Sequence, residues 1–320
     1  MTPARRPTDG QGGQVVVTGA GGWIGRNALS LLAEARSTSG TGEIIAVGQH
    51  ARRLEDVPRL GSMHTVTVAP LAHPGPPPGS LIIHCGFPTQ DRVEAMGEAA
   101  YLASIQSLRT SMADVITRST GLDVIYLSSG AATSIERGRD VPHRTRVYGQ
   151  AKIDDEEVLR YAVYRSGGRL CVVRAFALSG PYMTKPETYA LGNMILQAVR
   201  TGWINVSAST PVRRSYMAID DMLRIAIYAV RSLRPREALA FETAGEIVEV
   251  GDLAERVLAA VGGNPDNITR SAFRPDAPAD DYVGDPLQVE ALAARAGVTP
   301  LALDAQIVAT SDWLRGRAVS

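Results

Sequence analysis

Short apolar runs separated by polar, glycine-bearing or proline-bearing stretches set the rhythm of this chain. Residues 14–18 (QVVVT) are apolar, β-branched and end in glycines, the pattern of a strand buried on both faces. Residues 27–35 carry helical spacing. Residues 43–47 (EIIAV) and 81–85 (LIIHC) predict further strands, the second after a proline-rich segment, 74–78, that reads as a surface loop. A long helix is predicted over 95–117. A strand over 122–127 (LDVIYL) ends at Ser128-Ser129-Gly130, and a helix beginning near Tyr148 runs through 151–165. Residues 170–176 (LCVVRAF) predict one more strand. Strands alternating with helices give an α/β fold, a doubly wound parallel sheet covered on both faces. Ligands bind such sheets at the carboxyl ends of the strands, where the glycines, Cys85-Gly86 and Ser128-Ser129 all fall.

The pattern loosens after Pro181. Residues 190–200 and 253–260 look helical, and proline and aspartate are frequent over 265–286. Residues 217–229 predict a short strand and helix returning to the main sheet. At 320 residues and 45% hydrophobic, the chain can bury a sizeable core. Lysine plus arginine equals aspartate plus glutamate, 33 each, which argues against binding nucleic acid or a membrane surface by bulk charge. No apolar run approaches the roughly 20 residues that span a bilayer. Two cysteines, Cys85 and Cys171, make no disulfide framework, so a cytoplasmic setting is expected, with Cys171 an inert core residue. No metal site is expected.

Thr18-Gly-Ala-Gly-Gly-Trp-Ile-Gly25 joins the first strand to the first helix, with glycines at 19, 22 and 25. In such a turn one glycine bends the chain, one lets backbone approach a ligand and one lets helix pack on strand. A diphosphate then lies against the helix N-terminus. The spacing departs from strict GxGxxG, because Ile24 takes the last position. An ordinary glycine-rich turn is the rival reading. The expected cofactor-binding residues are Gly19, Gly22, Trp23, Ile24, Gly25, Gln49, Arg52, Cys85 and Gly86, with Tyr148 and Lys152. The second strand ends Val47-Gly48-Gln49-His50, without the carboxylate that would bind the ribose of NAD. Arg52 and Arg53 follow, within reach of a 2′-phosphate, which favours NADP over NAD. Both arginines can equally be solvated surface charges.

Tyr148 and Lys152 lie four residues apart, so on a helix they share one face. The ammonium stabilises the phenolate and lets the phenol exchange its proton nearer neutral pH. The same spacing also arises on ordinary amphipathic helices. His84, at a strand end, reads as a core histidine or a support to the cofactor site.

The glycines, Ser128-Ser129 after a strand, and Tyr148-xxx-Lys152 together resemble the extended short-chain dehydrogenase/reductase family, in its NAD-dependent epimerase/dehydratase-like nucleotide-sugar branch. The resemblance implies a Rossmann domain over 14–180, with 215–245 returning to it. A smaller substrate-binding lobe takes 181–214 and 246–320; residues 1–13, polar and rich in arginine, proline and glycine, are expected from composition to form a disordered tail. It implies a catalytic triad of Ser129, Tyr148 and Lys152, with Ser128 the alternative serine or a substrate contact. The stretches Tyr189-Ala-Leu-Gly-Asn-Met-Ile195 and Arg214-Ser-Tyr216 are similar to those of NDP-4-keto-6-deoxysugar reductases and related epimerases, which implies that Asn193 and Arg214 face the diphosphate of a nucleotide-sugar substrate. Ala177 stands where many sugar epimerases carry asparagine, and residues 207–211 lack the usual glycine. A homodimer is implied as well. The resulting expectation is a reductase, with an epimerase holding its NAD(P) tightly, or an NADP sensor without catalysis, as rivals.

Overall fold

The structure is a computed structural model that describes residues 13–39, 43–48, 52–54, 65–66, 75–270 and 272–318. The expected disordered tail, but for Gly13, and Gln49 lie outside the described residues. The chain divides into two compact units, Met1–Arg174 with Ala226–Phe241, and Ala175–Ile225 with Glu242–Ser320.

The first unit opens with β1 (Val15–Thr18), α1 (Trp23–Ser39) and β2 (Ile44–Val47). A small antiparallel pair follows, β3 (Arg52–Arg53) and β4 (Thr65–Val66). Next come β5 (Leu81–His84), α2 (Asp91–Met96), α3 (Glu98–Arg118), β6 (Asp123–Ser129), α4 (Gly130–Glu136), α5 (His143–Ser166) and β7 (Arg169–Ala175). The second unit holds β8 (Ala177–Ser179), α6 (Ala190–Thr201), β9 (Ile204–Asn205) and β10 (Val212–Ala218). Helix α7 (Ile219–Ser232) passes back to the first unit, where β11 (Ala238–Glu242) joins the sheet. The second unit resumes with β12 (Ile247–Glu249), α8 (Val250–Ala260), β13 (Ile268–Thr269), β14 (Asp280–Tyr282), α9 (Pro286–Ala296) and α10 (Leu303–Ala318).

Six strands make the main sheet, in the order β11-β7-β6-β5-β1-β2. The pairs β2–β1, β1–β5 and β5–β6 are parallel, in the register Val15 to Ile44 and Leu81, and Leu81 to Asp123. This is the expected α/β fold with a parallel central sheet. The strands are apolar throughout because both faces are covered. Val16, Ile82, Val124 and Val172 pack with Ile116 of α3 and Leu159 of α5. In the second unit, α6, α8 and α10 bury Ile195, Leu253, Val257 and Ile307 together.

Three elements differ from expectation. The helix over 95–117 is two helices, broken at Gly97, whose φ of 79° with ψ of 143° glycine adopts without strain. The helix that carries Tyr148 begins earlier, at His143. The strand near Met217 does not return to the main sheet. It is β10, which pairs with β8, β12 and β14 in a small sheet of the second unit, and the strand that does return is β11.

Candidate active site

The glycine turn is built by close backbone approach. A Cβ on Gly19, at φ +65°, would lie 2.6 Å from Gly86 N. A Cβ on Gly25 would lie 2.3 Å from Gly19 O, so α1 sits on the turn only because that carbon is missing. Gly22 N donates to Gly19 O at 2.9 Å and Ala20 N to Val47 O at 3.1 Å. Gly22 itself is exposed. The turn, the end of β5 and Cys85-Gly86 are thus one assembly, and Cys85 N donates to Thr18 O at 3.1 Å. Trp23 is buried and Ile24 half-buried, so what either offers a ligand at the start of α1 is its backbone. Arg52 stands on β3, in its own two-stranded sheet.

His84 closes the floor. Its Nδ1 lies 2.6 Å from Thr18 Oγ1, and its ring stacks on Tyr126 at 5.6 Å between centroids. Burial, then the Lys152 charge, lowers its pKa to about 3, so the imidazole is neutral at physiological pH. Burial also pushes the Cys85 thiol up to about 12 against the pull of Lys152. Cys171 is fully buried on β7, as a core residue should be, and burial raises its thiol far above the usual range.

Tyr148 and Lys152 lie one turn apart on α5. Lys152 is 2% exposed. Its Nζ donates to Leu127 O at 2.7 Å and lies 3.6 Å from the centroid of the Phe87 ring, 4.8 Å from that of Tyr126 and 5.7 Å from that of Tyr148. Phe87 meets Tyr148 edge-on at 5.7 Å. Burial lowers the Lys152 pKa to about 7, opposed by the charges of Asp155 and Glu156. The sequence pattern held no sign of Phe87 as a partner. A usable sign of Lys152 was present, for it and the exposed Lys185 are the only lysines among 33 basic residues. Lysine shifts its pKa on burial where arginine stays charged.

The two serines face opposite ways, as neighbours on a strand must. Ser128 Oγ donates to the buried Glu156 carboxylate at 2.5 Å. Ser129 caps α4, its Oγ accepting from Ala131 N at 3.2 Å. Asn193 and Arg214 belong to the second unit. Asn193, in the first turn of α6, donates to Glu187 O at 3.2 Å and accepts from Gln197 at 2.5 Å. Arg214, on β10, bonds the Asp280 carboxylate and carbonyl, each at 2.8 Å.

The residues of the first unit therefore form one group: a glycine cradle suited to a diphosphate, a serine at a strand end, and a phenol beside a buried ammonium. Such a group can move a proton at an oxygen held near Tyr148.

Residues 15–251 match the sequence model of the NAD dependent epimerase/dehydratase family. No curated protein matches the chain in sequence. Among solved structures, a UDP-N-acetylglucosamine 4-epimerase from Methanobrevibacter ruminantium M1 is similar at 15% identity and a TM-score of 0.72, over 96% of this chain and 100% of that one. A dTDP-glucose 4,6-dehydratase double mutant from Streptomyces venezuelae, solved with NAD, is similar at 17% identity and a TM-score of 0.69, over 94% and 96%. A UDP-glucuronic acid 4-epimerase from Bacillus cereus, solved with UDP-glucuronic acid and NAD, is similar at 15% identity and a TM-score of 0.69, over 95% and 99%. At these identities the likeness is one of fold.

Proposed function

This chain belongs to the NAD dependent epimerase/dehydratase family, and from that premise we propose that it interconverts a ketone and a secondary alcohol on a nucleotide-diphosphate sugar, acting as a reductase of a 4-keto-6-deoxysugar. The observation that carries the reading is the placing of Tyr148 one turn from a buried Lys152 beside the strand end that holds Ser129. The glycine turn fits a dinucleotide, since side chains at Gly19 or Gly25 would collide with backbone and Gly22 leaves the turn bare to solvent.

A bound nicotinamide dinucleotide supplies the hydride. Tyr148 gives its proton to the oxygen as that oxygen gains charge. The Lys152 ammonium favours the phenolate that Tyr148 becomes. Ser129 Oγ hydrogen-bonds the carbonyl oxygen and fixes its approach. The half-buried Phe87 ring lies against the buried Lys152 ammonium, which excludes water on that side and strengthens its field. Asn193 and Arg214 enter as proposed diphosphate contacts by resemblance, and each would exchange an internal partner to serve. Arg52 and Arg53, with no acid at the end of β2, support NADP, whereas the similar dehydratase and UDP-glucuronic acid 4-epimerase were solved with NAD.

A second reading, a 4-epimerase, is favoured by the likeness to solved 4-epimerases. It would use the same three residues and return the hydride to the other face. Cofactor stoichiometry separates the two. With NADPH, NADH and a panel of nucleotide 4-keto-6-deoxysugars, one reduced cofactor lost per sugar reduced supports the reductase. With NAD(P)+ and a 4-hydroxy nucleotide sugar in place of the ketone, sugar inverted at C4 with no net change in cofactor would make it an epimerase.

A further inference from the structure

Behind the candidate site lies a set of charges that the proton step does not use. Glu156 follows Lys152 by one turn of α5 and is buried. Its Oε1 accepts from Ser128 Oγ at 2.5 Å and from Arg174 Nε at 3.1 Å, and its Oε2 from Arg174 Nη2 at 2.7 Å. Arg174, near the end of β7, also grips Glu136 of α4 with both Nη atoms, Nη2 at 2.7 Å. Three successive residues of β6 are thereby tied to flanking helices. Leu127 O takes the Lys152 ammonium, Ser128 holds Glu156, and Ser129 caps α4.

Several titratable groups face Lys152. From α5 it faces Tyr148, Asp155 and Glu156, from the end of β5 His84 and Cys85, and from β6 Tyr126. His84 and Cys85 are held neutral by burial. Asp155 has its own cation, Arg109 Nε of α3 at 2.5 Å, and also takes the Tyr126 hydroxyl at 3.1 Å. Glu156 and Glu136 are both ion-paired with Arg174, and Glu136 also lies within the field of Arg137 and Arg160.

We infer that Glu156 is a positioning residue for this site: its carboxylate anchors the carboxyl end of β6 through Ser128 and serves, with Asp155, as a buried counter-charge to Lys152. The inference rests on the proposed roles of Ser129, Tyr148 and Lys152. It adds that a carboxylate of α5 opposes the loss of charge that burial imposes on Lys152, and that the strand bearing Ser129 is held by the same carboxylate.

The two lysines make a direct test. Selective ¹³C labelling of lysine gives two side-chain signals, with Lys185 as the internal reference. In the cofactor-free protein the Lys152 signal should titrate near pH 7. Glu156→Gln removes one charge at nearly constant shape and should lower that midpoint by about one unit, the scale of losing a nearby opposite charge. Glu156→Asp keeps the charge and should hold the midpoint within about 0.3 unit of the native value. A midpoint unmoved in Glu156→Gln overturns the counter-charge. If that variant does not fold, a midpoint that falls by about a full unit in Glu156→Asp overturns it instead.

Ser128→Ala keeps every charge and cuts the tie to β6. In the reductive assay it should lower kcat about 10- to 100-fold with KM within about twofold, the signature of a misplaced group rather than lost binding. Native kcat in Ser128→Ala, beside an inactive Tyr148→Phe, overturns the anchoring. An active Tyr148→Phe removes the proposed function itself and leaves the lysine titration standing.

Discussion

Replacing Gly19 by alanine tests the glycine turn quantitatively. Gly19 sits at φ +65°, where an L residue costs about 1–2 kcal/mol. The added Cβ would also lie 2.6 Å from Gly86 N and 2.7 Å from the Cys85 carbonyl carbon and oxygen, all of them backbone. Overpacking of that kind costs a further 1–3 kcal/mol, roughly. Gly138→Ala is the matched control, because Gly138 has φ +63° and its Cβ would meet no atom within 4 Å. Both variants gain equally from a stiffer unfolded chain, so their difference isolates the close approach. About 1 kcal/mol shifts Tm by about 2–4 °C for a unit of this size, so Gly19→Ala should melt about 2–12 °C below Gly138→Ala. Thermal melts by circular dichroism, with and without NADP(H), read the effect. Cofactor binding should weaken in Gly19→Ala and hold in Gly138→Ala. Equal melting temperatures and equal binding would refute the argument that backbone contact at the end of β5 requires glycine here.

The buried titratable groups yield two more outcomes. His84 has its pKa lowered from 6.5 to about 3, so over that window the unfolded chain binds a proton that the native protein does not. Stability is then lost as pH falls from about 6.5 toward 3, and His84→Asn should flatten that loss by up to about 5 kcal/mol in urea melts at stepped pH. An unchanged acid slope would contradict it. Lys152 has its pKa lowered from 10.5 to about 7, so its burial costs most below pH 7 and the cost is relieved as pH rises toward 10.5. Lys152→Met should therefore be more stable than the native chain near pH 6, by less than about 5 kcal/mol, with the gain fading toward pH 10, while turnover is lost. A gain that grows with pH would reverse the sign and defeat the reasoning.

The sheet was legible because its strands are buried on both faces. Runs such as VVV at Val15 and LII at Leu81 leave little else to be, and the glycines after β1 marked the cofactor turn. The second unit was less legible. Its strands β9, β12, β13 and β14 are two or three residues long, too short for any period to show. Helix α9 carried a signal that went unread: Asp285 caps it by accepting from Leu287 N at 3.0 Å, Pro286 opens it, and Gly297 at φ 67° closes it. The break at Gly97 was hidden because apolar spacing runs through it. Tyr148 and Lys152 were visible as a local pair, four residues apart. The partners that define their surroundings were not. Phe87 lies 65 residues from Lys152, and Glu156 is joined to Ser128 across 28 residues and to Arg174 across 18. Such pairings depend on strand order, which local pattern does not encode. Ser128 and Ser129 could be told apart only once β6 was seen to run through both, giving one to Glu156 and the other to α4.

Hydride transfer to the sugar, with Tyr148 as proton donor, is the claim on which the account turns, and isotope transfer tests it most directly. Reduced nicotinamide cofactor deuterated at the transferable position is incubated with a nucleotide 4-keto-6-deoxysugar, and the recovered sugar is examined by mass spectrometry and NMR. The account predicts one deuterium at the former carbonyl carbon of each product molecule, and none formed by Tyr148→Phe while that variant still binds cofactor. Reduced product without deuterium at that carbon, or labelled product formed at the native rate by Tyr148→Phe, would contradict it.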